Sequence, residues 1–174
     1  MPKYIEFPKG GQAHIVENVW HLSRLEDVAV QDLPGQFVLL SFSYWLKNQT
    51  ALIACGKKVG VFFQVKDDVL EDRQLILDSM KHWAILAVDF PQFRDGRGFS
   101  TAAILRQQFA WSGPLHAIGD VLIDQLVQMA RVGFDAFELR PDQHLETALV
   151  QLNRFPVKMQ NDWRSERTLQ AVHP

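Results

Sequence analysis

The chain has 174 residues, of which 47% are hydrophobic and 22% are charged. That length suits one ordinary domain that buries about 70% of the surface of its unfolded chain, and the composition excludes wholesale disorder. Eighteen basic and twenty acidic residues give a formal net charge of −2, so no strong overall field attracts nucleic acid or anionic lipid, and we expect neither as a partner.

The cysteine content and the first residues indicate a compartment. Cys55 is the single cysteine, so the chain forms no internal disulfide, and we expect this thiol, at the end of an apolar helix, to be buried and inert. Residues 1–6 lack the apolar core of a signal peptide, and no apolar run approaches the length of a membrane span. We therefore expect a cytoplasmic protein without membrane partners.

The predicted elements fall into three segments. Residues 1–36 carry turn signals and no sustained helical period, which predicts an irregular lead-in, with at most a short hairpin, packed on the domain. From residue 37 to residue 155, short apolar runs alternate with helix-length amphipathic stretches, which predicts an α/β domain. Residues 156–174 form a polar C-terminal tail, in which Trp163 is a candidate anchor for a partner surface.

Five successive strand–helix units are predicted within the α/β domain. The strands are Phe37–Ser41, Val59–Phe63, Trp83–Phe90, Leu115–Gly119 and Ala136–Leu139. The helices that follow them begin near Tyr44, carry Val69 to Met80, begin after Ser100, carry Leu122 to Ala130 and carry Leu145 to Leu152. Right-handed crossovers between parallel strands place every loop after a strand on one edge of the sheet. The strand count favours a flavodoxin-like open sheet, and a partial (β/α) barrel fits the same succession.

The loop after the third predicted strand is the most distinctive segment of the chain. Residues 94–100 read Arg-Asp-Gly-Arg-Gly-Phe-Ser and lead into a predicted helix. Backbone N–H groups at a helix N-terminus favour an anion, glycines let that backbone come close, and arginines bind phosphate, sulfate or sulfite. The candidate anion-binding residues are therefore Arg94, Gly96, Arg97, Gly98 and Ser100. Their spacing matches neither a Walker loop nor a dinucleotide fingerprint.

A purely structural interpretation explains much of the same loop. In it, Arg94 pairs with Asp95, the glycines form turns, and Ser100 caps the following helix. This interpretation gives no structural reason for the long charged side chain of Arg97 between two glycines.

Three carboxylates lie at or near the ends of consecutive predicted strands. Asp89, Asp120 and Glu138 would meet at one sheet edge, as oxygen ligands for Mg²⁺ or as an acid–base set. The structural alternative is that Asp120 caps a helix, Glu138 pairs with Arg140 and Asp89 pairs with Arg94. His116 is a fourth catalytic candidate, because it lies within the fourth strand and would point toward the same edge.

Several segments resemble a known family. They are Phe93–Ser100, Leu105–Arg106, Ala117–Leu122, Asp124–Leu126 and Ala130–Leu139. Together they resemble a bacterial family of uncharacterised proteins, often labelled as probable oxidoreductases involved in sulfite reduction, whose genes commonly lie beside the gene for the sulfite reductase haemoprotein. The resemblance implies a pathway and a partner, and it carries no catalytic residues. The chain has no dinucleotide loop, no Cys-x-x-Cys pair and no cysteine set for an iron–sulfur cluster, so it points to no particular cofactor.

Three functions remain open at this point. The resemblance implies an accessory protein of assimilatory sulfite reduction, with a small oxyanion at residues 94–100. The strand-end carboxylates suggest instead a free-standing, barrel-like enzyme, with or without Mg²⁺, that acts on an anionic metabolite. A non-catalytic dimeric scaffold, in which the loop is purely structural, is the third.

Overall fold

The computed structural model describes residues 2–154 and 161–164. One sheet contains β1 (Lys3–Glu6), β2 (His14–Glu17), β3 (His21–Ser23), β4 (Phe37–Ser41), β5 (Lys58–Phe63), β6 (Trp83–Phe90), β7 (Leu115–Gly119) and β8 (Ala136–Phe137). The helices are α1 (Phe42–Ala54), α2 (Arg73–Ser79), α3 (Arg97–Gln107), α4 (Leu126–Val132) and α5 (Leu145–Asn153). The predicted α/β class is confirmed.

The strand order identifies the type of α/β fold. Across the sheet the order is β2-β1-β8-β7-β6-β5-β4-β3, and every strand from β3 to β8 lies parallel to its successor. A flavodoxin-like sheet reverses its strand order at a switch point, whereas a (β/α) barrel adds each strand beside the previous one. The preference for a flavodoxin-like sheet is therefore wrong, and the sheet corresponds to the alternative, a partial barrel.

The connection between the two edge strands shows how strongly the sheet curls. β2 and β3 form opposite edges, yet only residues 18–20 separate them in the chain. A flat sheet of eight strands would hold its edges about 34 Å apart. The four steps from Glu17 to His21 span at most about 14 Å, so the sheet must curl into a half-barrel.

Both faces of the curled sheet are apolar. The outer face packs against the helices and belongs to the larger core, which includes Leu40, Phe63 and Val88. The inner face forms a second, smaller core of Leu39, Phe62, Ile85, Ala87 and Ile118. Side chains therefore fill the interior of the half-barrel, as they fill a complete barrel of this type.

The ends of the chain differ from the sequence-based expectations. Residues 1–36, expected to be an irregular lead-in with room for a short hairpin, form that hairpin as β1 and β2 and in addition supply β3, so three strands of the main sheet come from this segment. Most of the predicted tail, residues 156–160 and 165–174, lies outside the described residues. Trp163 is described, and it packs on its own chain, with its ring centroid 4.1 Å from Cζ of Arg106.

Two further expectations concern exposure and membranes. Cys55 is exposed, because it follows the last turn of α1 at the protein surface, so the expectation of a buried thiol is wrong. Within the part of the chain that the structure describes, no helix combines the length and the apolar character that crossing a bilayer requires.

Candidate functional site

The loops that follow β4 to β8 lie together on one edge of the half-barrel, which we call the carboxyl edge. Partial and complete (β/α) barrels bind their ligands at this edge. Two groups of side chains meet there. The mouth cluster consists of Asn18, Arg24, Asp89 and Glu138, and the second group lies on the loop after β6.

Arg24 and Asp89 form the centre of the mouth cluster. Both terminal nitrogens of Arg24 donate to the Asp89 carboxylate, Nη2 to Oδ1 at 2.9 Å and Nη1 to Oδ2. The Asp89 side chain is only 8% exposed, whereas that of Arg24 is 46% exposed and lies over the ring of Phe62. The predicted pairing of Asp89 with Arg94 is therefore wrong, and its partner comes from the segment after β3.

Glu138 faces the same guanidinium from the end of β8. The amide of Asn18 donates to Oε2 of Glu138 at 3.0 Å. Burial raises the pKa of Glu138, while the Asn18 hydrogen bond and the charge of Arg24 act in the opposite direction. The predicted Glu138–Arg140 pair is wrong. Of the three predicted carboxylates, Asp89 thus pairs directly with Arg24, and Glu138 lies near enough to interact with its charge.

Asp120 stands apart from that cluster. Its Oδ2 accepts a hydrogen bond from the backbone N–H of Phe93 at 2.8 Å, and its Oδ1 accepts one from Nη1 of Arg140 at 2.8 Å. It does not cap α4, which begins later, at Leu126. Asp120 therefore ties the loop after β6 to the segment after β8. Among the residues described, no three His, Cys, Asp or Glu side chains are grouped so as to hold a metal ion.

His116 lies in the interior of the half-barrel. It pairs across the sheet with Ala87, two residues before Asp89, and its ring centroid is 5.2 Å from that of Tyr4. Burial lowers the pKa of His116 to about 4, so the imidazole is neutral at neutral pH. The side chain therefore sits below the mouth cluster rather than in the loops of the carboxyl edge.

Asp95 organises the predicted anion loop. Its carboxylate accepts hydrogen bonds from Nε of Arg97 at 3.0 Å, from Nη2 at 2.7 Å and from the backbone N–H of the same residue at 3.2 Å. These hydrogen bonds lower the pKa of Asp95. The predicted Arg94–Asp95 pair is therefore wrong, and Arg97 has a structural partner after all. Arg94 is exposed, and its Nε donates to Gln92.

The remaining loop residues have different surroundings. A Cβ added to Gly98 would lie 2.6 Å from the ring of Phe90, so this glycine lets α3 pack closely on β6. Gly96 has open space around it and precedes the first residue of α3. Ser100 therefore lies inside that helix and not at its cap, and with Arg97 it lines a cavity of about 340 Å³.

Sequence reasoning missed Arg24 and Asn18. Arg24 is 65 positions from Asp89, and Asn18 is 120 positions from Glu138. No local pattern marks either residue, because both contacts exist only once the sheet has curled. The one usable signal was the position of Asp89 and Glu138 at strand ends.

Comparisons with known proteins give a family and no closer relative. The family model described as "Bacterial protein of unknown function (DUF934)" matches residues 60–170. That match covers more than half of the chain, so the protein belongs to this bacterial family. No curated protein and no solved structure matches the chain.

Proposed function

We propose that this member of the DUF934 family is a cytoplasmic accessory protein of assimilatory sulfite reduction that acts with the sulfite reductase haemoprotein and holds a small oxyanion at residues 94–100. The resemblance of residues 93–139 to proteins encoded beside that reductase supports the partner. The observation that carries the oxyanion is the exposed pair Arg94 and Arg97 at the carboxyl edge, where (β/α) folds bind ligands.

The geometry of the loop sets the expected strength of binding. The Arg97 side chain is 66% exposed, and its Nη1 makes no hydrogen bond to the described residues, so it stays available beside Arg94. Asp95 already accepts hydrogen bonds from Nε and Nη2 of this guanidinium and from the backbone N–H of Arg97. An oxyanion therefore gains two arginines but meets one carboxylate, and we expect weak, salt-sensitive binding.

The test combines the two proteins in purified form. We expect the reductase to co-purify with the chain and to change its sulfite turnover when the chain is added. The double variant Arg94→Ala/Arg97→Ala should lose the effect, whereas the charge-matched control Lys57→Ala/Lys81→Ala should keep it. A reductase that neither binds the chain nor responds to it rules out the proposal.

The mouth cluster supports a second candidate, a free-standing enzyme acting on an anionic metabolite. Asp89 pairs with the half-exposed Arg24, and Glu138 interacts with the same charge, which is an arrangement suited to acid–base chemistry. Titration with Mg²⁺ and Mn²⁺ while thermal stability is followed tests the metal-dependent form, and no shift would count against it. For the third candidate, the dimeric scaffold, Arg97→Ala should leave growth on different sulfur sources unchanged.

A further inference from the structure

A cavity of about 340 Å³ lies at the carboxyl edge, between the loop after β5 and the first turns of α3. Its size is at the lower end of the range of small-molecule sites, which runs from about 300 to 1,000 Å³. The residues that line it are Val65, Lys66, Asp67, Asp68, Val69, Leu70, Arg97, Ser100, Thr101 and Ile104.

Charges of both signs line this cavity in equal number. The cations are Lys66 and Arg97, and the carboxylates are Asp67 and Asp68. Lys66 lies within ion-pairing distance of no carboxylate among the described residues, and the Ser100 hydroxyl makes no hydrogen bond to them. The donors of Lys66, Arg97 and Ser100 are therefore open to an anionic group.

Each carboxylate is partly engaged by the backbone of its own loop. Oδ2 of Asp67 accepts a hydrogen bond from the N–H of Gln64 at 2.7 Å, and Oδ1 of Asp68 accepts one from the N–H of Leu70 at 2.9 Å. The other oxygen of each carboxylate, Oδ1 of Asp67 and Oδ2 of Asp68, has no partner in the described chain. The lining thus offers acceptors to a cation as well as donors to an anion.

We propose that this cavity binds a small zwitterion with the chemistry of an α-amino acid. Its carboxylate lies toward Lys66, Arg97 and Ser100, and its ammonium lies toward Asp67 and Asp68. A free oxyanion would leave both aspartates without a counter-charge, and a simple amine would leave Lys66 without one, since Arg97 is already paired with Asp95. A ligand that carries both charges complements both the exposed cations and the carboxylates of the lining.

The apolar part of the lining determines which kind of side chain the ligand should carry. Val65, Val69, Leu70 and Ile104 supply the aliphatic wall of the cavity. We therefore expect a short aliphatic side chain to bind better than a charged one. This inference does not depend on the haemoprotein, although it shares Arg97 and Ser100 with the proposed oxyanion site.

Calorimetric titration of the purified chain tests the proposal with matched probes. L-valine carries both charges, L-valinamide lacks the carboxylate, N-acetyl-L-valine lacks the ammonium, and sulfate is an oxyanion alone. We expect L-valine to bind, and each derivative to bind about tenfold more weakly or worse, because each loses one charge-assisted contact. Sulfate binding as tight as L-valine binding, or no binding of L-valine, overturns the proposal.

Two charge-removing variants locate the site. Lys66→Met and Asp68→Asn should each weaken L-valine binding by about tenfold, for the same reason. Lys81→Met and Asp78→Asn are the matched controls on exposed residues outside the cavity, and they should bind as the wild type does. Equal binding by all four variants overturns the proposal. Because no reductase is present, failure here leaves the accessory function standing, and failure of the accessory function leaves this site standing.

Discussion

The two ends of the half-barrel use the same pair of residue types in opposite ways. At the amino edge, the end opposite the carboxyl edge, Arg106 has a fully buried side chain that donates to Asp135 and to three backbone carbonyls, those of Trp111, Gly113 and Gly133. At the carboxyl edge, Arg97 has one partner, Asp95, and its side chain is 66% exposed. The Arg106–Asp135 pair is therefore a packing element, whereas the Arg97–Asp95 pair keeps an accessible charge, as the division of roles between the two ends of (β/α) barrels predicts.

Removing the buried arginine should have the largest effect. Arg106→Met leaves the Asp135 charge without its ionic partner and three buried or partly buried carbonyls without this donor, so we expect the free energy of unfolding to fall by about 3–5 kcal/mol. Urea denaturation measures this change. Arg94→Met, at the exposed end, is the control, and an equally small loss in both variants would show that Arg106 is not a packing residue.

The buried histidine should give the next largest effect, as a dependence on pH. The pKa of His116 is lowered to about 4 in the folded protein, against an ordinary value of 6.5. Between these values the unfolded chain binds more protons, so this residue makes stability fall as the pH drops from 6.5 to 4, by about 3 kcal/mol in total.

The histidine prediction is checked by comparing pH profiles of unfolding. His116→Gln should flatten the fall in stability over that window relative to the wild type, whatever its effect on stability at neutral pH. His82→Gln, which changes an exposed imidazole, should keep the wild-type slope. The same slope in all three proteins would mean that His116 titrates normally.

Substituting the two glycines of the anion loop should change stability by different amounts, and the larger loss should be intermediate in size. A Cβ at position 98 meets the Phe90 ring at 2.6 Å, so Gly98→Ala should cost about 1–3 kcal/mol. Gly96 has nothing within 4 Å of such a Cβ, so Gly96→Ala should be nearly neutral. Thermal unfolding of both variants measures the difference, and it shows which residues of this loop are packed and which are accessible.

The smallest effect on stability is expected at Arg97. Arg97→Ala removes an exposed ion pair, and such pairs contribute little in water, so the urea midpoint should not move measurably. Its effect should appear only in ligand binding or in the reductase assay. A clear loss of stability would show that Arg97 is a packing residue like Arg106.

Much of the parallel sheet was predictable from local pattern. The bounds of β4, β6 and β7 follow from apolar runs that end at polar or turn residues, and all three strands are confirmed as predicted. β1, β2 and β3 contain only three or four residues each and are partly exposed, so they carry too little apolar pattern to be recognised. The order of the strands in the sheet could not be predicted from hydrophobic periodicity, because the pattern of a strand does not indicate which other strand it pairs with.

The sequence predicted where the site lies in the fold, but not which side chains contact one another there. Strand-end positions placed Asp89 and Glu138 at the right edge, but their partner Arg24 comes from a distant segment of the chain. Within the loop, serine is the favoured helix cap, which led to a helix start after Ser100. Instead, α3 begins at Arg97 with Gly96 as its N-cap, and the Asp95 side chain accepts a hydrogen bond from the N–H of Arg97.

The pairing of β1 with β8 also bears on how the chain folds during its synthesis. Ile5 lies beside Phe137 in the sheet, so a ribosome must add more than a hundred residues after β1 before this strand meets β8, its second neighbour. At ordinary rates of translation that interval is on the order of ten seconds. Throughout it the hairpin of β1 and β2 exposes an unpaired backbone edge, and its charged residues Lys3, Glu6 and Glu17 disfavour pairing with other nascent chains. The pairing of β1 with β8 thus forms late, although β1 precedes every other strand of the sheet.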